Sequence, residues 1–227
     1  PAIIFADCYY DEMLQTTVRS TFANQGQICL CGSRIFVEAS MYQKFKIDFI
    51  AAVSKLKVGN PFDTSTDIGA LVSRPHLEKV KMYIDNAAQY GGKVIFGGAS
   101  VSVDNSEDGY YLEPTIIEVQ DNSCILNQEE IFGPVVTIMP FNDENEVVAM
   151  ANDVSYGLSA TLWTNDLKRT MRVSKQIQAG IVWVNTWLLR DLRTPFGGVK
   201  NSGVGREGGF EALRFFTEPK NICIKYN

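Results

Sequence analysis

The sequence contains one histidine, His76, and five cysteines among 227 residues. A zinc site is not expected, because Cys29 and Cys31 have no second ligand pair at a suitable spacing. The cysteines are also odd in number and widely dispersed, which is unlike a disulfide framework. Reduced thiols and a cytoplasmic location are therefore predicted.

Long apolar runs and an excess of positive charge are missing as well. The formal net charge is -5 and the pI is about 5.0, so the basic surface of a nucleic-acid-binding protein is not expected. No apolar run reaches transmembrane length, and the first residues lack the basic segment of a signal peptide. We therefore expect neither nucleic acid nor a membrane among the partners.

Segments typical of strands and helices alternate along the chain. Strands are predicted over 2–5, 34–37, 94–96, 115–119, 135–139, 160–163 and 181–185. Helices are predicted over 11–22, 77–90, 143–151 and 166–178, with one more between residue 40 and a stop at 59–61. This order is typical of an α/β fold with a mostly parallel sheet flanked by helices.

Two glycine-rich segments and the C-terminus interrupt this pattern. Residues 97–113 are polar and predict an exposed loop, and 195–209 predict an irregular, tightly folded loop. After a short helix over 210–216, residues 221–226 alternate apolar and polar side chains, which predicts a strand. That strand either pairs with another subunit or forms an edge of its own domain, and the residues favour the two about equally.

FANQGQICLCGSR, residues 22–34, carries two cysteines one residue apart. Gly26 permits a tight turn before Cys29, and backbone N–H groups in such a turn can stabilise an oxyanion. The spacing does not select between Cys29 and Cys31. The alternative is that both are small buried apolar residues, and the residues alone favour that alternative. His76 is the only possible partner for a cysteine–histidine protease, and its position favours an exposed histidine at a helix start.

Three segments together resemble the aldehyde dehydrogenase superfamily. FANQGQICLCGSR is similar to the cysteine signature of that family. QEEIFGP, residues 128–134, and PFGGVKNSG, residues 195–203, are similar to two further family segments. They occur in the family's order, and the resemblance extends from Pro1 to Tyr226. It implies the catalytic-domain fold of the family, with a C-terminal oligomerisation strand.

The resemblance also implies roles for single residues. Cys29 would be the nucleophile and Cys31 a structural residue. Glu130 would hold the nicotinamide ribose hydroxyls of NAD, and Phe132 would lie beside the nicotinamide. Glu207 would relay protons near the nucleophile, or equally would form a structural ion pair with a basic neighbour. The implied reaction is oxidation of an aldehyde through a thiohemiacetal and a thioester.

WLLRDLRTPFGG, residues 187–198, indicates the substrate class. It is similar to the corresponding segment of 2-aminomuconate and 2-hydroxymuconate semialdehyde dehydrogenases, whose substrates already bear a carboxylate. Arg190 is the better candidate to bind that carboxylate, Phe196 is expected beside the substrate, and Arg193 is expected to pair with Asp191 or a neighbouring loop. The alternative is that both arginines are surface residues paired with acids.

The resemblance covers only the C-terminal half of the family pattern. We expect a catalytic domain over 1–216 and an oligomerisation arm over 217–227, without the NAD-binding domain or the general base. One hypothesis is the catalytic portion of an NAD-dependent semialdehyde dehydrogenase that forms homo-oligomers. The second is a truncated, inactive module with a structural or subunit-binding role. A third, weaker one is a cofactor-free thiol esterase.

Overall fold

A computed structural model describes residues 1–103, 106 and 108–227. The helices are α1 (Tyr10–Phe22), α2 (Tyr42–Val53), α3 (Arg74–Asp85), α4 (Ile125–Gln128), α5 (Glu144–Asn152), α6 (Leu167–Gln176) and α7 (Gly209–Phe216). The strands are β1 (Ala2–Ile4), β2 (Arg34–Glu38), β3 (Gly92–Phe96), β4 (Ser100–Val101), β5 (Tyr111–Leu112), β6 (Thr115–Val119), β7 (Val135–Phe141), β8 (Tyr156–Gly157), β9 (Ser159–Trp163), β10 (Ile181–Val184) and β11 (Val199–Lys200). None of the helices in these ranges is both long and apolar enough to cross a bilayer.

Seven strands form the main sheet, in the order β10-β9-β1-β2-β7-β6-β3. Every neighbouring pair is parallel except β3 with β6 at one edge. This confirms the predicted α/β fold with a mostly parallel sheet. Parallel strands need long crossovers, and the intervening helices supply them.

Both faces of the sheet are buried, which explains why its central strands are continuous apolar runs. Ile3 and Phe36 point into one core with residues of α3, α5 and α6. Ile4, Ile35 and Val37 point into the other core with residues of α1 and α2. The fold therefore has three layers, with the sheet between two groups of helices.

Helix α3 begins three residues before the predicted start at residue 77. Ser73 Oγ accepts a hydrogen bond from the His76 N–H at 3.4 Å, which caps the first turn. Pro75 lies in that turn, where a missing N–H costs nothing because the first N–H groups of a helix have no intrahelical partner. The prediction placed the Ser-Arg-Pro signal outside the helix instead of at its start.

The predicted exposed loop over 97–113 is wrong in part. β4 and β5 pair as antiparallel strands, and both β5 residues, Tyr111 and Leu112, are buried. Residues 104, 105 and 107 of this loop prediction lie outside the described residues. Two apolar side chains in a short polar segment were too weak a signal for a strand.

The predicted C-terminal strand does not form in the single chain. Residues 217–227, all of which the structure describes, form neither helix nor strand and are exposed. A strand needs a neighbour to satisfy its backbone groups, and none of the described strands pairs with this segment. Pairing of this arm with a second subunit stays a prediction.

Candidate active site

The loop that carries the predicted nucleophile begins with a left-handed turn. The φ angles of Asn24, Gln25 and Gly26 are 49°, 59° and 69°. Non-glycine residues in this region cost roughly 1–3 kcal/mol each, so surrounding contacts must hold them. A Cβ atom at Gly26 would overlap the carbonyl oxygen of Gly133, so glycine is required where the two loops touch.

Two glutamine side chains fasten this turn to the segment that precedes α3. The Gln25 side-chain amide accepts a hydrogen bond from the Gly69 N–H at 3.3 Å, and it donates one at 3.1 Å to the carbonyl oxygen of the residue after Gly69. Gln27 Oε1 accepts from the Val72 N–H at 3.2 Å. Neither glutamine was predicted as a site residue, although amide side chains beside a turn are suited to binding backbone groups.

Cys29 and Cys31 differ in exposure. Cys29 is exposed, whereas Cys31 is half-buried and its Sγ lies 3.8 Å from the Ala23 carbonyl oxygen. Burial raises the pKa of the Cys31 thiol to about 11, so this thiol keeps its proton near neutral pH. Among the described residues, the Cys29 N–H has no acceptor, which leaves it available to an oxyanion. These differences favour Cys29 as the nucleophile.

Glu130 and Phe132 lie on the loop between α4 and β7, and α3 holds that loop. Lys79 Nζ donates to the Glu130 carbonyl oxygen at 3.1 Å. His76 Nε2 lies 2.7 Å from the Phe132 carbonyl oxygen, and the proton must be on Nε2 because a carbonyl only accepts. Phe132 has a φ of 61°, so His76 stabilises an uncommon backbone conformation. The prediction of an exposed His76 is wrong, since the ring is partly buried against this loop.

Three of the predicted site residues line one cavity. Cys29, Glu130 and Phe132 surround a space of about 60 Å³, together with Cys31. A neighbouring cavity of about 320 Å³ is also lined by Cys29 and Glu130. The structure therefore brings together the thiol and both residues that the family resemblance assigns to the cofactor.

The other three predicted site residues form a separate cluster. Arg190 forms an ion pair with the Glu207 carboxylate, and its guanidinium lies 4.0 Å from the centre of the Phe196 ring. The backbones of Phe196 and Glu207 exchange two hydrogen bonds at 2.7 and 2.8 Å, which brings the two loops together. Glu207 thus has the ion pair that was the alternative to a proton relay, with Arg190 as its partner. Arg193 pairs with Asp191, as predicted.

One tryptophan links this cluster to the nucleophile loop. The Trp187 indole N–H donates to the Leu30 carbonyl oxygen at 2.9 Å. Leu30 and Trp187 are buried together, and Phe196 and Ile28 pack against them. Cys29 therefore lies on a loop that borders the Glu130 cavity and also contacts the Arg190 cluster.

Two cations bind the C-terminal end of α5, and one of them, Lys200, anchors the glycine-rich loop there. The buried Arg34 donates to two carbonyls of the last turn, at 3.0 and 3.3 Å. Lys200 Nζ donates to two carbonyls further on, at 2.6 and 3.0 Å. Cations suit a helix C-terminus, so Lys200 in the third family segment has a structural role. In the described ranges, no three side chains are placed to bind a metal ion together.

A profile described as "Aldehyde dehydrogenase family" matches residues 1–222. The chain belongs to the aldehyde dehydrogenase family. Among curated relatives, the 2-aminomuconic semialdehyde dehydrogenase of Danio rerio is 51% identical over all of this chain. The 2-hydroxymuconic semialdehyde dehydrogenase of Pseudomonas putida is 45% identical over 98% of it. This aldehyde dehydrogenase chain spans about half the length of these relatives, 47% and 46%.

Solved aldehyde dehydrogenase structures share the fold. Betaine aldehyde dehydrogenase from Staphylococcus aureus in complex with NAD+ is 38% identical, with a TM-score of 0.92 over 95% of this chain and 43% of its own. HpcC from Thermus thermophilus is 35% identical, with a TM-score of 0.92 over 100% of this chain and 46% of its own. The expected aldehyde dehydrogenase fold is therefore confirmed, apart from its C-terminal strand.

Proposed function

We propose that this chain is the catalytic portion of an NAD-dependent dehydrogenase that oxidises a carboxylate-bearing semialdehyde to the acid. The observation that supports it best is the common cavity of Cys29, Glu130 and Phe132. The names of the most similar relatives agree with the proposed substrate class. The inactive structural module is less well supported, because it gives no reason for an exposed thiol beside a backbone N–H that has no acceptor in the described ranges.

The residues around this cavity fit a nicotinamide nucleotide. The Glu130 carboxylate is exposed and, within the described part of the chain, makes no side-chain hydrogen bond or ion pair. A free carboxylate suits two vicinal ribose hydroxyls, which are donors. The Phe132 ring provides an apolar surface beside them, and His76 fixes its backbone. Bound NAD would accept the hydride; these residues only hold and orient it.

Cys29 carries out the covalent chemistry in this proposal. Its thiolate adds to the aldehyde carbon, and the carbonyl oxygen becomes an oxyanion that the Cys29 N–H stabilises. Loss of hydride from that carbon leaves a thioester on Cys29. Water then cleaves the C–S bond, which releases the carboxylic acid and the thiol. We assign no residue of this chain as the base that activates the water.

Arg190 would bind the carboxylate that the semialdehyde substrate already bears. Its guanidinium already binds one carboxylate, that of Glu207, and is oriented by the Phe196 ring. A planar guanidinium matches a carboxylate in two parallel hydrogen bonds. The substrate carboxylate would replace Glu207, whose side chain is 62% exposed and free to move away. The proton relay through Glu207 stays a prediction.

The first test is NADH formation by this chain with NAD and a carboxylated semialdehyde, followed by absorbance. Turnover that Cys29→Ala abolishes would support the proposal, because the half-buried Cys31 is the only other thiol that lines the cavity among the described residues. Cys223→Ala is the matched control and should retain activity, since Cys223 lies in the exposed C-terminal segment. If the folded chain forms no NADH, the result would count against the enzyme hypothesis and favour the inactive module. Hydrolysis of a chromogenic ester without NAD would favour the esterase.

We further propose that residues 217–227 form an oligomerisation arm on the domain over 1–216, and that the protein is cytoplasmic. Ile222, Ile224 and Tyr226 are 72%, 66% and 85% exposed, an apolar row that a second copy would cover. All five cysteines are free thiols, which suits a reducing compartment. By light scattering, we expect the full chain to have a molar mass above that of a monomer. A chain ending at residue 216 should form smaller assemblies than the full chain. A monomeric full chain would contradict the arm.

A further inference from the structure

Cys29 and Cys31 face the same space, and the function proposed above uses only one of them. A tight turn places them together, because the Cys31 N–H donates to the Ile28 carbonyl at 2.9 Å. Both cysteines line the cavity of about 60 Å³, and both also line the neighbouring one of about 320 Å³. No other cysteine lines either cavity. The two cysteines therefore border the same space, one residue apart on a tight turn.

We propose that Cys29 and Cys31 form a reversible disulfide when the chain meets hydrogen peroxide, with Cys31 as the resolving thiol. The Cys29 thiolate attacks one peroxide oxygen, so an S–O bond forms, the O–O bond breaks and hydroxide leaves. The Cys31 sulfur then attacks the Cys29 sulfenic acid, which forms the S–S bond and breaks the S–O bond. Two thiols lose two electrons, and one peroxide becomes two waters.

The different surroundings of the two thiols set the order of these steps. Cys29 is exposed and meets the oxidant first. Cys31 is half-buried, its thiol contacts the Ala23 carbonyl, and burial raises its pKa, so its direct reaction with peroxide is slow. Its attack on Cys29 is intramolecular, which compensates for a small thiolate fraction.

A bridge between residues two apart closes a small, strained ring. Strained disulfides have higher reduction potentials and are the labile ones, so cellular thiols would restore both cysteines. Without Cys31, the sulfenic acid of Cys29 would proceed to sulfinic acid, which such thiols do not reverse. The pair thus protects the exposed thiol at the cost of temporary inactivity.

Trypsin offers a direct test, because cleavage after Arg19 and Arg34 releases one peptide that contains Cys29 and Cys31 and no other cysteine. After peroxide treatment, we expect this peptide to lose the mass of two hydrogen atoms and to recover it with dithiothreitol. In Cys31→Ser, the peptide should instead gain two oxygen atoms, irreversibly. We expect about tenfold more of this product than in the wild type, since intramolecular resolution is fast.

The same experiment identifies its contrary outcomes. Cys223→Ser is the background for all variants, because it removes an exposed thiol that could link two chains. Equal amounts of Cys29 sulfinic acid in chains with and without Cys31 would overturn the proposal. A disulfide that forms only between two chains would overturn it as well. Circular dichroism checks that Cys31→Ser is folded, and Cys31→Ala provides a second variant. Neither NAD nor aldehyde is used, so the result is independent of the proposed dehydrogenase activity.

Discussion

Replacing Gly26 with alanine is expected to lower the free energy of unfolding by about 3 kcal/mol, from a backbone cost of roughly 1–2 kcal/mol and a similar cost of overpacking. The backbone cost arises because Gly26 has a φ of 69°, where a Cβ is strained. The overpacking arises because the new methyl group would overlap the Gly133 carbonyl oxygen. Since the obstacle is backbone, no side-chain rotation relieves it.

The same substitution should also impair Cys29. Gly26 is the point where the nucleophile loop contacts the loop of Glu130 and Phe132, so separating them opens the shared cavity. We expect NADH formation to fall at least about 100-fold, as small displacements of reacting groups cost that much. Urea unfolding measures the stability, and the absorbance assay measures the activity.

Gly32→Ala is the matched control for Gly26→Ala. Gly32 lies in the same segment, its φ is not positive, and a Cβ there would be no closer than 3.7 Å to other atoms. That is ordinary contact, so stability and activity should change little. Equal effects of the two alanines would contradict the assignment of Gly26 as the contact between loops, and would indicate that any added side chain disrupts this segment.

The sheet was predictable because its strands are buried on both faces. A strand that is buried on both faces appears in the sequence as a short apolar run. Both ends of β6 were predicted correctly, at residues 115 and 119. Short elements such as β4 and β5 could not be predicted, since a pair of two-residue strands has no period to detect. Their positions depend on contacts with distant parts of the chain.

The sequence allowed the residues of the site to be named, but not the contacts between them. The segments that resemble the family carry Cys29 and Glu130, yet nothing in the sequence pairs His76 with Phe132, 56 residues away. That hydrogen bond requires α3 to pack under the loop. Likewise, the ion pair between Arg190 and Glu207 depends on the backbone bridge of Phe196, which a glycine-rich loop does not reveal from its composition.

Replacing Arg190 with methionine should remove the preference for an aldehyde that bears a carboxylate. Under the proposed function, Arg190 binds that carboxylate by charge-assisted hydrogen bonds. Methionine is close to arginine in the length of its apolar stem, but it lacks the charge and the donors of the guanidinium that lies over Phe196. The loss of such a contact is worth about 3 kcal/mol, or roughly 100-fold in affinity. An uncharged aldehyde of similar length should bind as before, because it makes no use of the guanidinium.

The measurement needs no NAD, because formation of the thiohemiacetal itself protects Cys29. Iodoacetamide alkylates the free thiol, so the semialdehyde concentration that halves this rate reports binding at the site. We expect that concentration to rise about 100-fold in Arg190→Met for the carboxylated semialdehyde only. Arg193→Met is the matched control, because Arg193 lies in the same loop but is 90% exposed and bound to Asp191. This substitution should leave the half-protecting concentration unchanged.

Glu207→Gln separates the two roles of the ion pair. In the free chain, the Glu207 carboxylate occupies Arg190, so a substrate carboxylate must displace it. The neutral amide competes less for Arg190, so the semialdehyde concentration that halves the alkylation rate should fall severalfold. In the NADH assay, kcat should fall if Glu207 also relays protons and should be retained if it does not. An unchanged concentration in Glu207→Gln, together with an unchanged one in Arg190→Met, would show that this pair is a surface contact. The substrate carboxylate would then have to be bound by groups other than Arg190.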